Sequence, residues 1–126
     1  MPAGPVTRHA VLQLSLFVRS ADTFRGRALY HEIVDRARLA GLRGATAIRG
    51  VEGFGATARL RAPGRLGALT GDEPVLIEIT DDARKILAFL PAVESLPGTG
   101  LIVLRELTAV RRAAPDVPDI AASPVT

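Results

Sequence analysis

The chain has 126 residues, 48% of them hydrophobic, and a formal net charge of +3 at pH 7. This length fits one domain with a single modest core. The charge permits an anionic ligand but is too small for the dense basic surface of a dedicated nucleic-acid binder, so no direct nucleic-acid binding is expected. The chain has no cysteine, which excludes disulfides, thiol catalysis and cysteine-ligated metals and favours a cytoplasmic location.

Residues 1–9 are expected to be an N-terminal extension before the first strand. From Val11 to Val18 apolar residues alternate with a mixed set, which predicts a strand with one face in the core. This apolar stretch is too short and too polar for a signal peptide, and no window approaches the roughly 18 apolar residues of a membrane span. The protein is therefore not expected to span a membrane.

The next element is predicted to be an amphipathic helix. Leu29, Ile33 and Ala37 recur every fourth residue, with charged residues on the opposite side. Gly41 is placed to end this helix, because glycine accepts the left-handed conformation common after a helix C-terminus. A second strand is predicted from Ala45 to Val51.

Residues 52–73 contain five glycines and one proline without any period, which indicates a long loop between strands. Within it, residues 56–71 are expected to be mobile without a ligand. A third strand is predicted from Val75 to Thr80, then a helix over DDARKILAFLPAVESL with Asp81 or Asp82 as its N-cap. Gly100 to Val110 predicts a fourth strand, and residues 113–126, with three prolines, a disordered tail.

This β-α-β-β-α-β order predicts an α+β, ferredoxin-like domain over residues 10–112, with two helices on one face of a four-stranded antiparallel sheet. The other sheet face is then uncovered. Five apolar residues are expected on or near it, and self-association is the natural cover for such a patch: Val11, Phe17, Leu76, Ile102 and Leu104.

Several stretches resemble a known family. GLRGATAIRGVEGFG resembles the strand and Gly-Phe-Gly turn of the PII signalling superfamily. The run from Leu12 to Arg112 is more similar to its uncharacterised branch, domain of unknown function 190, through GRALYHEIV, GATAIRGVEGFGA, DEPVLIEI, AFLPAVESL and GLIVLRELTAVRR. The resemblance implies a homotrimer with ligand sites in clefts between subunits, and a long loop that reports their occupancy to a partner protein.

The chain departs from the PII pattern at the ligand positions. Ala56 and Thr57 stand where PII proteins have Arg and Gln, and Leu101 replaces the lysine of a second glycine loop. Nearer relatives commonly have Ile-His-Thr where this chain has Leu60, Arg61 and Ala62. The 2-oxoglutarate chemistry of PII proteins is therefore not carried over, and the effector is expected to be a small anion bound weakly or different from the PII nucleotide. An adenine nucleotide remains one candidate.

The predicted ligand-binding residues combine a basic loop with two glycine turns. For the Gly-Phe-Gly turn and the loop arginines, a purely structural interpretation stays open beside anion binding, because arginine is abundant throughout this chain. Arg49, just before the turn, is the strongest single candidate. The full set is Arg49, Gly53, Phe54, Gly55, Thr57, Arg59, Arg61, Gly98, Thr99 and Gly100.

No catalytic motif is present, and His9 and His31 lie on different elements, so neither enzymatic activity nor a resident metal is predicted. Two functional classes stand: a PII-like regulator that binds an anionic effector, and a trimeric interaction or divalent-metal-tolerance module without nucleotide. Relatives often stand beside fluoride-exporter genes, so the resemblance also implies a membrane transporter as a partner.

Overall fold

The computed structural model describes residues 4–53 and 72–112. Four strands form one antiparallel sheet in the order β4-β5-β1-β6, and β2 and β3 form a small hairpin. The elements are β1 Val6–Arg19, β2 Thr23–Phe24, β3 Arg27–Ala28, α1 Leu29–Leu39, β4 Ala45–Arg49, β5 Pro74–Asp82, α2 Ala83–Glu94 and β6 Leu101–Arg112. The predicted ferredoxin-like fold is confirmed.

The hairpin β2–β3 lies within the stretch before the first helix, which has no periodic pattern of apolar residues. Its two-residue turn has Arg25 and Gly26 at φ 52° and 82°. Two successive residues with positive φ are typical of the tight turns that match the twist of a hairpin.

The core lies between the sheet and the two helices. Alternate residues of β1 and β5, including Leu14 and Ile77, pack against apolar residues of both helices, and Ile33 of α1 is completely buried. Arg36 of α1 also donates through Nη1 to the carbonyl oxygen of Ala92 in α2 at 2.9 Å, which joins the two helices.

Gly41 ends the first helix as predicted. Its φ is +79°, and its N–H donates to the carbonyl of Arg38 while that of Leu42 donates to Ala37. These two bonds are the Schellman pattern, in which a left-handed residue turns the chain away from the helix axis.

Asp81 and Asp82 do not cap the second helix as predicted. Asp82 holds the N-cap position but makes no side-chain capping hydrogen bond. Asp81 is completely buried, and its carboxylate accepts from the backbone N–H groups of Arg43 at 3.0 Å and Asp82 at 2.7 Å. Asp81 therefore ties the start of α2 to the turn that follows α1.

The sheet face away from the helices, hereafter the open face, carries apolar side chains. Val11, Phe17 and Leu76 lie on it as predicted, because Leu12, Leu16 and Val18 point to the helices. Polar groups are interspersed among them, and Gln13 Nε2 donates to Thr80 Oγ1 at 3.3 Å across β1 and β5.

The prediction for Ile102 and Leu104 was wrong. They stand opposite Leu16 and Leu14, so both lie on the helix side, and Leu101 and Val103 take the open face. Strand β6 begins with four consecutive apolar residues and therefore has no alternation from which to assign its faces. Only its pairing with β1 determines which residues face the helices.

Candidate functional site

The predicted ligand residues within the described part of the chain lie at one end of the sheet. Strands β1 and β4 end there, at Arg19 and Arg49, and strands β5 and β6 begin there, at Pro74 and Leu101. The connection between β4 and β5, residues 50–73, starts and finishes at this end. The Gly98–Gly100 turn lies there too, because it leads directly into β6.

Arg19 holds both ends of the long connection. Its Nη1 donates to the carbonyl oxygen of Gly53 at 3.2 Å, and its Nη2 donates to the carbonyl oxygen of Asp72 at 2.9 Å. Its Nε also pairs with Asp72 Oδ1 at 3.3 Å, and the two side chains are only 12% and 13% exposed. One guanidinium on a core strand therefore fixes where the segment 54–71 leaves and re-enters the fold.

Backbone bonds reinforce this attachment on the β5 side. The N–H of Ser20 donates to the carbonyl of Glu73 at 2.7 Å, and Ser20 Oγ accepts from the N–H of Glu73 at 2.8 Å. Gly50 donates to the carbonyl of Pro74 at 2.7 Å. The chain on either side of the segment is thus anchored through main-chain groups as well as through Arg19.

Arg49 is exposed but partnered. Its Nη1 lies 3.0 Å from Glu73 Oε1, and its Nη2 donates to the hydroxyl oxygen of Tyr30 at 3.4 Å. The guanidinium carbon stands 5.8 Å from the centre of the Tyr30 ring, within the range of a cation–π contact. The aromatic ring and the carboxylate together orient this arginine, whose side chain is still 55% exposed.

The glycines before the segment allow close packing on Pro74. A Cβ atom at Gly50 would lie 2.9 Å from Pro74 Cγ, and one at Gly53 would lie 3.3 Å from the same atom. Larger residues would therefore push the end of β4 away from the start of β5. This gives both glycines a structural role at the mouth of the connection.

The second glycine turn has a different environment. Gly98 has φ +93°, and a Cβ atom there would lie 3.2 Å from Leu29 Cδ2, so this position requires glycine. The hydroxyl oxygen of Thr99 is buried and has no hydrogen-bond partner among the described residues. Buried polar groups are normally paired, so the Thr99 hydroxyl is a candidate hydrogen-bonding group for a ligand or a neighbouring subunit.

Arg49 and the second glycine turn belong to opposite edges of the sheet. Arg49 ends β4 at one edge of the sheet, and Gly98–Gly100 precede β6 at the other. Neighbouring strands lie about 4.8 Å apart, so the two edge strands are separated by about 14 Å.

Five predicted ligand residues lie outside the described part of the chain: Phe54, Gly55, Thr57, Arg59 and Arg61. The segment 56–71 and the tail 113–126, for which mobility and disorder were expected, lie outside it as well.

Sequence reasoning missed Arg19, Tyr30, Asp72 and Glu73 as parts of the site. The available signal was the Asp72-Glu73 pair directly before β5, the strand that neighbours β1 in the sheet. Two acids placed there could have been matched with the arginines that end the adjacent strands.

Neither a metal cluster nor a membrane span is found where the structure describes the chain. No three His, Asp or Glu residues within 4–53 and 72–112 are grouped to hold a metal ion. His9 contacts the hydroxyl of Thr7 through Nε2 at 2.9 Å. In the same residues no helix is long and apolar enough to cross a membrane.

Solved structures similar to this chain share its fold. The apo form of CPII from Thiomonas intermedia K12, a nitrogen regulatory PII-like protein, has a TM-score of 0.57 at 12% identity, with 85% of this chain and 99% of that chain covered. CPII from the same organism bound to ADP and bicarbonate has a TM-score of 0.56 at 16% identity, with 82% and 91% covered. At these identities the similarity establishes a PII-like fold.

Sequence comparison identifies the family. The chain is 33% identical over 97 residues to a UPF0166 protein of Aquifex aeolicus (strain VF5), an alignment that covers 77% of this chain and 90% of the relative. The model of the family DUF190, described as "Uncharacterized ACR, COG1993", matches residues 11–109. The chain therefore belongs to the DUF190 family, and its domain has a PII-like, ferredoxin-like fold.

Proposed function

We propose that this protein is a PII-like regulator that binds a small anionic effector in clefts between the subunits of a homotrimer. Occupancy of the cleft is signalled to a partner protein through residues 52–73. The observation that carries the proposal is the attachment of both ends of this segment to Arg19, at the sheet end where Arg49 and the Gly98–Gly100 turn also lie. An anion bound there would contact the base of the segment directly.

The sheet geometry supports a site shared between subunits. Arg49 at the end of β4 and Gly98–Gly100 before β6 belong to the two edge strands of the sheet, whose axes lie about 14 Å apart. A phosphate or bicarbonate ion is much smaller than this separation of the strand axes. The β4 edge of one subunit placed beside the β6 edge of the next would bring Arg49 and the second glycine turn to one ligand.

The open face supports self-association. Phe17 and Leu101 pair across β1 and β6 on this face and are 44% and 55% exposed, and Ile48 at the β4 edge is 47% exposed. An apolar surface of this kind is normally covered by a partner. The PII-like fold makes a trimer, with the open faces turned towards its centre, the arrangement to test first.

Anion binding is supported by donors at this end of the sheet. Arg49 is exposed, and the hydroxyl of Thr99 has no hydrogen-bond partner among the described residues. The fold neighbour CPII has been solved with ADP and bicarbonate, which makes an adenine nucleotide a reasonable first ligand for this chain. Leu101 offers no charge to a phosphate, so the affinity for a nucleotide is expected to be modest.

The test is a thermal-shift and calorimetric titration of the purified protein with ADP, AMP, bicarbonate and inorganic phosphate. A ligand at one hundred times its Kd adds about 2.7 kcal/mol to the free energy of unfolding. Arg49→Ala should abolish binding and leave the assembly intact. Arg27→Ala is the matched control, because Arg27 is a similarly exposed, acid-paired arginine on the hairpin β2–β3.

Two results would overturn the proposal: a monomer at micromolar concentration, or an anion whose affinity Arg49→Ala does not change. A stable trimer that binds none of these anions would instead favour the alternative interaction module without nucleotide.

A further inference from the structure

The Arg49 guanidinium is bound by a carboxylate of the same chain. Glu73 Oε1 lies 3.0 Å from Arg49 Nη1, the distance of a charge-assisted hydrogen bond. Like an oxygen of phosphate or bicarbonate, a carboxylate oxygen at this position carries negative charge and accepts hydrogen bonds from the guanidinium. Glu73 therefore occupies the contact that an external anion would need.

The Arg49–Glu73 ion pair is accessible enough to solvent for an external anion to replace the carboxylate. The Arg49 side chain is 55% exposed and that of Glu73 is 29% exposed. Exposed ion pairs contribute at most about 1 kcal/mol, because water solvates both partners when they separate. An external anion that makes further contacts can replace the Glu73 carboxylate without leaving a buried charge unpaired.

The exchange requires movement of the Glu73 side chain alone. The backbone of Glu73 is held by two hydrogen bonds to Ser20, and the preceding residue, Asp72, is held by Arg19. Tyr30 contacts Arg49 from the other side, through its ring and its hydroxyl oxygen. The guanidinium thus stays in place while its carboxylate partner is exchanged.

We propose that Glu73 is an internal competitor for the anion site and that effector binding displaces its carboxylate from Arg49. This inference rests on the proposed function, since it assumes that Arg49 is an anion ligand. Glu73 is the last residue of the 52–73 connection, so its displaced carboxylate changes the charge presented at the base of that segment. The exchange gives a direct link between occupancy of the site and the signalling segment.

The experiment compares Glu73→Gln with Glu52→Gln. Both substitutions remove one negative charge near the loop base, but Glu52 is exposed and forms no ion pair to the residues that the structure describes, whereas Glu73 pairs with Arg49. Titration with ADP and with inorganic phosphate, measured by calorimetry at constant ionic strength, gives the affinities. Glu73→Gln should bind these probes about twofold to fivefold more tightly than the unchanged protein, the range set by an exposed ion pair.

The outcomes separate the two proposals. Equal gains in affinity for Glu73→Gln and Glu52→Gln would indicate a general effect of net charge and would overturn the competitor role of Glu73. An unchanged or weaker affinity in Glu73→Gln would overturn it as well. In either case, loss of binding in Arg49→Ala would leave the proposed anion site standing. If none of the variants nor the unchanged protein binds either probe, both proposals fail.

Discussion

Arg19 and Asp72 form an ion pair of 3.3 Å between Nε and Oδ1 in which neither side chain is more than 13% exposed. Arg19 ends a core strand, and Asp72 is the first described residue after the segment 54–71. The pair therefore joins a buried strand of the central sheet to the base of the proposed signalling segment.

Arg19→Ala should destabilise the protein by about 2–4 kcal/mol, because it removes the cation that pairs with the largely buried Asp72 carboxylate and the guanidinium donor to two carbonyl groups. Urea unfolding measures this change. Arg27→Ala, which removes the exposed ion pairs of Arg27 with Glu32 and Asp35, should cost at most about 1 kcal/mol. Similar losses for the two variants would show that Arg19 has no special role in holding the loop base.

Phe17→Glu should weaken self-association, because it would bury a charge within the apolar part of the open face. Phe17 is 44% exposed in the single chain and stands beside Leu76 and Leu101. Light scattering behind a sizing column measures the mass. Leu87→Glu is the control, since Leu87 is 53% exposed on helix α2, away from the open face. A Phe17→Glu protein that keeps its full assembly would place the subunit contact elsewhere.

Leu101→Lys should raise the affinity for ADP by about threefold to tenfold if the second glycine turn contacts its phosphates, because an ammonium group adds a charge-assisted contact. Leu101 begins β6 directly after Gly100 and is 55% exposed beside Phe17 on the open face, so light scattering must first show that the variant keeps its assembly. Calorimetry gives the affinity, and Leu107→Lys on the same face of β6, 39% exposed, is the control. The same gain from both lysines would exclude a specific phosphate contact at this turn.

Asp81→Ala should cost about 2–4 kcal/mol of stability, since the backbone N–H of Arg43 would lose its buried acceptor. Denaturant unfolding measures the loss, and Asp82→Ala is a close comparison because Asp82 makes no side-chain cap. If the Asp82 variant were the less stable of the two, the helix cap predicted from the sequence would have the larger role.

The sequence by itself determined the order of the main elements. Alternating residues in β1 and β5 and the fourfold spacing of Leu29, Ile33 and Ala37 are local patterns, so they can be assigned without the rest of the fold. The end of α1 at Gly41 is equally local, because it depends on the backbone freedom of one residue. Together these signals were sufficient for the ferredoxin-like architecture and for most of the open face.

The tertiary structure decided the partners of the site residues. Arg19 meets Asp72 across 53 positions of sequence, and Arg49 meets Glu73 across 24. Which residues of β6 face the helices also depended on its register with β1, because consecutive apolar residues do not alternate and so do not indicate a buried face. Such pairings depend on which strands lie side by side in the sheet. The sequence alone does not distinguish an arginine that faces solvent from one that pairs with a carboxylate. The sequence therefore indicated Arg49 as a candidate ligand residue, but only the three-dimensional structure showed that Arg49 forms an ion pair with Glu73.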